Sequence, residues 1–267
     1  MLGVTTTDDL ELALRLADRA DAITSARFRA RDLGVHRKPD RTPVTDADIA
    51  VEDAVREVLT EQRPADVVAG EERGGTVGEG RAWVLDPIDG TKNFLRGLPA
   101  WASLIALVED GRPAVGVISA PALQRRWWAA AGSGAWSAHA AGEPGRIAVS
   151  GVRDLADAYV STTNLGEWVR QHSREAYLRL VDACWENRAF GDFWHHCLVA
   201  EGTIDLAAEP VVNPWDVAAV QVLVEEAGGT FTDLAGRARY DGGNALSSNG
   251  HLHSTALRLL DVSAQQP

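Results

Sequence analysis

Cysteine is almost missing from this 267-residue chain, which holds only Cys184 and Cys197. Two widely separated cysteines build no disulfide framework and lack the close paired spacing of a zinc or redox motif, so both are expected to be reduced and buried. Phe190 and Thr203 stand six residues after them, where a cysteine phosphatase needs arginine, which excludes that class. Long hydrophobic runs are absent too. The longest, Ala114 to Leu123, is far short of a membrane span. The first twenty residues carry Asp8, Asp9, Glu11, Arg15, Asp18 and Arg19, which no apolar signal-peptide centre contains. No membrane partner and a cytoplasmic location are expected.

Positive charge is also short, with 26 basic against 38 acidic residues and a formal net charge of -12. That balance repels nucleic acid and anionic membranes. It would equally repel a phosphorylated metabolite, so a phosphate site must import positive charge through helix N-termini or, more effectively, metal ions. What remains is a composition with 45% hydrophobic and 24% charged residues and no low-complexity segment, sufficient for one large domain or two intimately packed halves. The nine tryptophans, Trp127 and Trp128 among them, read as core and interface residues, and a homodimer contact is expected of them.

From Asp8 to about Asp32, Leu10, Leu14, Ala17, Ile23 and Phe28 recur near helical spacing, which predicts a long amphipathic helix capped by Asp8 or Asp9. A loop through Lys38, Pro39, Asp40 and Pro43 follows, and Ile49, Val51, Val55 and Val58 predict a second helix ending before Pro64. Two helices thus precede the first expected strand. Apolar runs at Val67 to Ala69, Ala82 to Leu85, Ser103 to Val108, Ala114 to Ser119 and Arg126 to Ala130 read as a mostly antiparallel sheet. Beyond about Ser150 the pattern alternates. A strand at Ala158 to Ser161, helices at Arg174 to Cys184 and around Cys197, a strand at Thr203 to Ala207 and a helix at Pro214 to Ala227 imply a second α/β half. Gly242 to Asn249 reads as turns before a closing helix, His251 to Leu260.

In Trp83-Val84-Leu85-Asp86-Pro87-Ile88-Asp89-Gly90-Thr91 an apolar strand ends in two acids three residues apart. Carboxylates this close repel unless solvent, protons or a cation relieve them, and magnesium, which takes octahedral oxygen ligands, would do so. A turn built on Pro87 and Gly90 is the alternative reading. Other acids weigh against a turn alone. Glu71 emerges from the strand-like Val67 to Gly70, and Asp216 sits in the first turn of a helix, where by itself it would be a cap. Acids at strand ends and a helix start mark the open edge of an α/β sheet, where ligands bind. The adjacent His195 and His196 would point about 100° apart on a helix, with no neighbouring ligand to complete a zinc set, so one buried and one exposed imidazole are expected.

Gly70-Glu71-Glu72, Asp86-Pro87-Ile88-Asp89-Gly90-Thr91-Lys92-Asn93-Phe94 and Trp215-Asp216-Val217-Ala218, in this order and spacing, resemble the signatures of the inositol monophosphatase family. Pro43-Val44-Thr45-Asp46-Ala47-Asp48 and Glu225-Glu226-Ala227-Gly228-Gly229 extend the resemblance over nearly the whole chain. It implies an α/β (α+β) fold, a layered αβαβα sandwich, that hydrolyses a small phosphomonoester with two or three magnesium ions and is inhibited by lithium. By the same resemblance Glu71, Asp86, Asp89, Asp216 and the Ile88 carbonyl hold metal, while Thr91 and Asp48, helped by Glu71, position and activate water. Ile88, Asp89, Gly90, Thr91 and Asp216 would also border the substrate, with Gly90 and Thr91 opening a short helix towards the phosphate. Glu72 is expected beside the site or in solvent. Residues 1–150 would then carry most metal ligands, and residues 151–267 would carry Asp216 and the specificity residues, in one compact unit.

A haloacid dehalogenase-type phosphatase fits poorly, because Asp46-Ala47-Asp48-Ile49-Ala50 has Ala at its fifth position. Arg188 and Glu209 resemble the family's substrate-contacting arginine and glutamate. Asp192 departs from the small residue usual after the glycine. Gly191-Asp192, Pro214-Trp215-Asp216 and Gly243-Asn244-Ala245-Leu246-Ser247-Ser248-Asn249-Gly250 resemble the histidinol-phosphate phosphatase branch, which implies a role in histidine biosynthesis. L-histidinol phosphate is therefore the expected substrate, with inositol 1-phosphate or another sugar or polyol phosphate as the alternative, and a helix cap as the alternative role for Asp192. A catalytically dead regulatory member should have lost ligands or the water-activating pair. None is missing.

Overall fold

The computed structural model describes residues 5–39, 42–140 and 142–261, so Asp40 of the expected loop and the chain ends lie outside it. Helix α1 (Thr5–Arg27) comes first. Asp8 and Asp9 lie within it instead of capping it, and buried Asp9 pairs with Arg63 and Arg81 at 2.8 and 2.9 Å. Its buried face is Leu12, Ala13, Leu16, Ala17 and Ala20, displaced from the expected stripe, of which Leu10 and Leu14 are only partly buried. Ending at Arg27 frees Phe28 to pack against Phe94 and Trp101, with ring centroids 5.4 and 5.3 Å away.

A hairpin of β1 (Val35–Arg37) and β2 (Pro43–Thr45) precedes helix α2 (Asp46–Gln62), where only a loop was expected. Three-residue strands are too short to leave a periodic signal. Next come β3 (Val67–Gly70), β4 (Arg81–Asp89), helix α3 (Thr91–Arg96), β5 (Ala102–Glu109), β6 (Arg112–Ala120), β7 (Arg125–Ala130), β8 (Gly134–His139) and β9 (Gly145–Ile147). Strands β3 to β9 form one sheet in sequential order, antiparallel except for the β3–β4 pair. The expected strands all lie in it, and β8 and β9 extend it.

The remaining elements are β10 (Tyr159–Ser161), α4 (Leu165–Gln171), α5 (Arg174–Ala183), β11 (Glu186–Arg188), α6 (Asp192–Ala200), β12 (Leu206–Glu209), α7 (Pro214–Glu226), β13 (Thr230–Thr232), β14 (Ala245–Ser248) and α8 (His253–Leu260). The second sheet has the order β11-β10-β12-β14-β13. Two expectations need correcting. The strand placed at Thr203 to Ala207 starts only at Leu206, and the supposed turn region Gly242 to Asn249 contains the fully buried β14, whose Ser247 and Ser248 disguise it. Cys197 is buried as expected, but Cys184 is only partly so. Trp83, Trp101, Trp127 and Trp168 are core residues, and no helix among the described residues is long and apolar enough to cross a membrane.

Helices α1 and α2 cover one face of the first sheet, α6 and α7 lie between the two sheets, and α5 and α8 cover the far face of the second, which is the expected αβαβα layering. Helix α7 touches both sheets and buries every residue from Val217 to Val224. Its approach to the first sheet depends on Gly116 of β6, where an added Cβ would meet Ala219 O and Val222 Cγ1, both at 2.6 Å. We expect Gly116→Ala to cost about 1–3 kcal/mol by overpacking, measured by urea unfolding. A loss below about 0.5 kcal/mol, the range of neutral surface changes, would mean that α7 can back away freely.

Candidate active site

Strand β4 is buried from Ala82 to Ile88, and its register with β5 shifts between Asp86 and Asp89. Hydrogen bonds hold this irregular segment. Ile88 N donates to Asp86 Oδ1 at 3.0 Å, and Ser103 Oγ donates to Pro87 O at 2.6 Å. Gly90 then turns the chain with φ of 84°, and a Cβ there would lie 3.0 Å from Ala100 O. Asp216 arrives from the other half of the fold on the first turn of α7, where it closes a capping box and accepts Asn213 N at 2.8 Å. Asp89 Oδ2 accepts Phe193 N, at the start of α6, at 2.6 Å. Carboxylate oxygens of Asp86, Asp89 and Asp216 all lie within 4.8 Å of one another. Glu71, just past β3, lines the same cavity, of about 420 Å³, with Ile88, Gly90 and Thr91.

Burial first, then Glu71, Asp89 and Asp216, holds the Asp86 carboxyl well above the usual carboxylate range. Asp89 is raised by burial, Asp192 and Asp216, and Asp216 is pushed up to about 7 by burial, with Glu71 adding to it. No basic side chain among the described residues forms a salt bridge with these three. Lys38 instead bridges Glu71 and Glu72, each at 2.7 Å, which tucks the Glu72 side chain away from solvent. Three carboxylates without a counter-charge, beside a Glu71 that is only partly balanced by Lys38, fit a hard divalent cation, so Glu71, Asp86, Asp89, Asp216 and the Ile88 carbonyl could hold magnesium.

Thr91 Oγ1 lies 3.0 Å from Ile88 O and 3.3 Å from Asp48 Oδ1. Asp48 Oδ2 in turn accepts Thr45 N at 2.8 Å and the Thr45 hydroxyl, closing the capping box of α2. Burial raises Asp48 to about 6. Fully buried Glu52 holds the turn beyond Glu71, accepting Glu72 N at 2.8 Å and Arg73 N at 3.0 Å. Glu52, absent from the expected site, does carry a sequence signal: it shares the inward face of α2 with Val51 and Val55. Lys38 had none.

Beyond the carboxylates, Asp192 and Glu209 line a smaller adjoining cavity of about 80 Å³ that also reaches Asp89 and Asp216. Asp192 does not cap α6; Gly191 occupies the cap, and the Asp192 side chain accepts Asn93 Nδ2 at 3.0 Å. Its φ of 48° is a left-handed conformation that costs a non-glycine residue energy, of the kind found at functional sites. Burial and the nearby Glu209 raise it to about 6, and burial pushes Glu209 up to about 8. Arg188 is not brought to the cavity: it pairs with Glu186 at 2.5 Å and lies over the Tyr159 ring. His195 and His196 are both buried, contrary to expectation, because α6 has a sheet on either side and no solvent face.

An acid whose pKa is higher folded than unfolded adds stability fully below its unfolded value of about 4 and loses it as pH rises through the folded value. With Asp48 near 6 and Asp216 near 7, the metal-free protein should lose stability as pH rises from about 4 to 7, and magnesium should restore it at neutral pH. Melting temperatures in EDTA and in excess magnesium test this. An EDTA curve that does not change between wild type and Asp216→Asn would remove this carboxylate from the effect.

The inositol monophosphatase family model matches residues 7–264. A histidinol-phosphatase of Mycobacterium tuberculosis is 56% identical over 96% of this chain and 98% of its own length. One from Streptomyces coelicolor is 50% identical over 95% and 97%. The solved structure of an inositol monophosphatase from Zymomonas mobilis superposes with a TM-score of 0.84 at 33% identity, covering 96% of this chain and 99% of that one. A family match across nearly the whole length, relatives sharing half or more of its residues and the same layered fold together establish that this chain belongs to the inositol monophosphatase family.

Proposed function

We propose that the chain is a magnesium-dependent phosphomonoesterase whose preferred substrate is L-histidinol phosphate. The observation that carries this reading is the 56% identity, over almost the full length of both chains, to a histidinol-phosphatase. Two or three magnesium ions would be held by Glu71, Asp86, Asp89, Asp216 and the Ile88 carbonyl. When bound, magnesium supplies positive charge to the phosphoryl and leaving oxygens and makes a water easier to deprotonate.

The chain's own groups direct that water. Both polar partners of the Thr91 hydroxyl, Ile88 O and Asp48, are acceptors, so its proton points into the protein and its lone pairs are free to accept a hydrogen from water at the cavity. Asp48, ionised above about 6 and anchored on Thr45, fixes that direction, and Glu71 on the cavity wall helps to take the water's proton. Amides at Gly90 and Thr91 border the phosphate. At the far end, Asp192 and Glu209, held towards their neutral forms by burial, would ionise against the ammonium and the readily protonated imidazole of histidinol, whereas inositol offers only neutral hydroxyls. Such acids disfavour neutral leaving groups as well as attracting cationic ones, since a desolvated carboxylate without its partner is costly.

Thr91→Val, which keeps the shape and removes the hydroxyl, should lower kcat about a hundredfold with little change in KM, because water placement matters chiefly in the transition state. An unchanged kcat would take Thr91 out of the mechanism. Wild type should favour histidinol phosphate over inositol 1-phosphate in kcat/KM, and Asp192→Asn should shrink that preference about tenfold, equivalent to about 1.4 kcal/mol. A wild type that prefers inositol 1-phosphate sinks the substrate assignment, and no magnesium-dependent turnover of any phosphomonoester would favour a regulatory role.

A further inference from the structure

His195 lies outside every motif of the family resemblance, and it is fully buried behind the leaving-group end of the cavity. Strands β10 and β12 pair in parallel, which sets the segment after Ser161 beside Glu209. Two hydrogen bonds then tie the loop from Ala189 to Asp192 to this edge, and a third joins the edge to Glu209. Phe190 N donates to Ser161 Oγ at 3.1 Å, Asp192 N donates to Thr163 Oγ1 at 2.8 Å, and the Thr163 hydroxyl donates to Glu209. His195 completes the arrangement, with Nδ1 3.2 Å from Ser161 Oγ and Nε2 2.9 Å from Glu209 Oε1.

Proton accounting fixes the imidazole. Burial drives His195 down to about 3, so the ring is neutral and carries one proton. Ser161 Oγ already accepts Phe190 N, and its own hydrogen, buried with it, finds its acceptor in His195 Nδ1. The ring proton therefore sits on Nε2, which lies 2.9 Å from Glu209 Oε1 but is not aligned on it for a hydrogen bond, and which has no other polar partner. A metal ion held by His195, His196 and Glu209, whose ligand atoms lie within 4.8 Å of one another, is the competing reading. It would require the proton on Nδ1, leaving the Ser161 hydroxyl without an acceptor, and Glu209 already accepts the hydroxyl and amide of Thr163.

We propose that His195 is a positioning residue for substrate selection: its Nε2–H edge, lying against Glu209, keeps that carboxyl group turned to the leaving-group cavity by close electrostatic contact, and its Nδ1, through Ser161, couples it to the loop carrying Asp192. This rests on the assignment of Glu209 and Asp192 to the leaving group. Without that contact only Thr163 holds Glu209, which can pivot on those bonds away from Asp192, the acid with which it shares the cavity, and discrimination falls while phosphoryl chemistry continues.

The test compares histidinol phosphate with p-nitrophenyl phosphate, whose leaving group carries no cation, in the magnesium-loaded enzyme. His195→Leu should raise KM for histidinol phosphate so that the kcat/KM ratio falls by up to about tenfold, the lower range for a hydrogen bond to a charged group being the ceiling for a misaligned contact. His195→Gln, whose amide N–H can reach the same oxygen, should recover most of the ratio, and in a Glu209→Gln background His195→Leu should change the ratio no further. Equal losses on both substrates with a lower melting temperature would reduce His195 to a packing residue. Effects that add to those of Glu209→Gln would also overturn the proposal, as would stoichiometric zinc that survives EDTA and vanishes in His195→Leu. If wild type prefers another phosphomonoester, the substrate reading fails separately, and the same leucine and glutamine comparison on that substrate still decides the role of His195.

Discussion

Repulsion among carboxylates that the backbone forces together is the constraint around which this molecule is arranged. Asp86 and Asp89 come from one irregular strand end and Asp216 from a helix start, and free acids would separate where these cannot. Each is held by a backbone amide on one oxygen: Ile88 N on Asp86, Phe193 N on Asp89 and Asn213 N on Asp216. Those bonds orient the acids without neutralising them, because an amide contributes only a partial charge. All three acids line the cavity, and burial, with the neighbouring acids adding to it, raises each of them. Stability is sacrificed there and recovered in the cores on either side of α7, the helix that carries Asp216 and packs between both sheets.

The neighbouring acids are treated differently. Glu71 and Glu72 share Lys38, and Glu52 shares Arg56 while gripping the amides past Glu71. Paired acids of this kind are structural ties that can keep the Glu71 turn in place whatever occupies the cavity. The unpaired trio is the group with unmet demand for a cation. Partners, more than burial, separate Glu52 and Glu72 as scaffold from the trio, since Glu52 is as buried as Asp86, while Glu71 is paired with Lys38 and also lines the cavity.

How much of this was legible in the sequence depends on whether a feature is contiguous. Asp86-Pro87-Ile88-Asp89-Gly90-Thr91 reads as a site because unfavourable strand residues follow an apolar run, and Asp216 reads as a helix start. The order of apolar runs implied a sheet followed by an α/β half, and the layering came from the family resemblance. The β1–β2 hairpin was hidden by its length and β14 by its serines. The His195 and His196 expectation failed for a physical reason: the angular offset between neighbours on a helix buries one and exposes the other only when the helix has a solvent face, and α6 has none. Lys38, Thr163 and the His195–Glu209 contact are tertiary pairings between segments far apart in the chain, and no local pattern encodes them.

On the proposed reading, one anionic cavity uses two kinds of cation. Metal on the phosphate side and the substrate's own ammonium and imidazole on the other would each relieve part of the same repulsion, because Asp192 raises Asp89 and Glu209 raises both Asp192 and Asp216. The two ends are also joined mechanically: Asp89 accepts the amide of Phe193, the residue directly after Asp192. A cationic leaving group would therefore act on the carboxylates at both ends, through charge and through the start of α6. Selectivity and metal occupancy are then linked by the same electrostatics, and a neutral polyol forfeits that relief even where it fits the space.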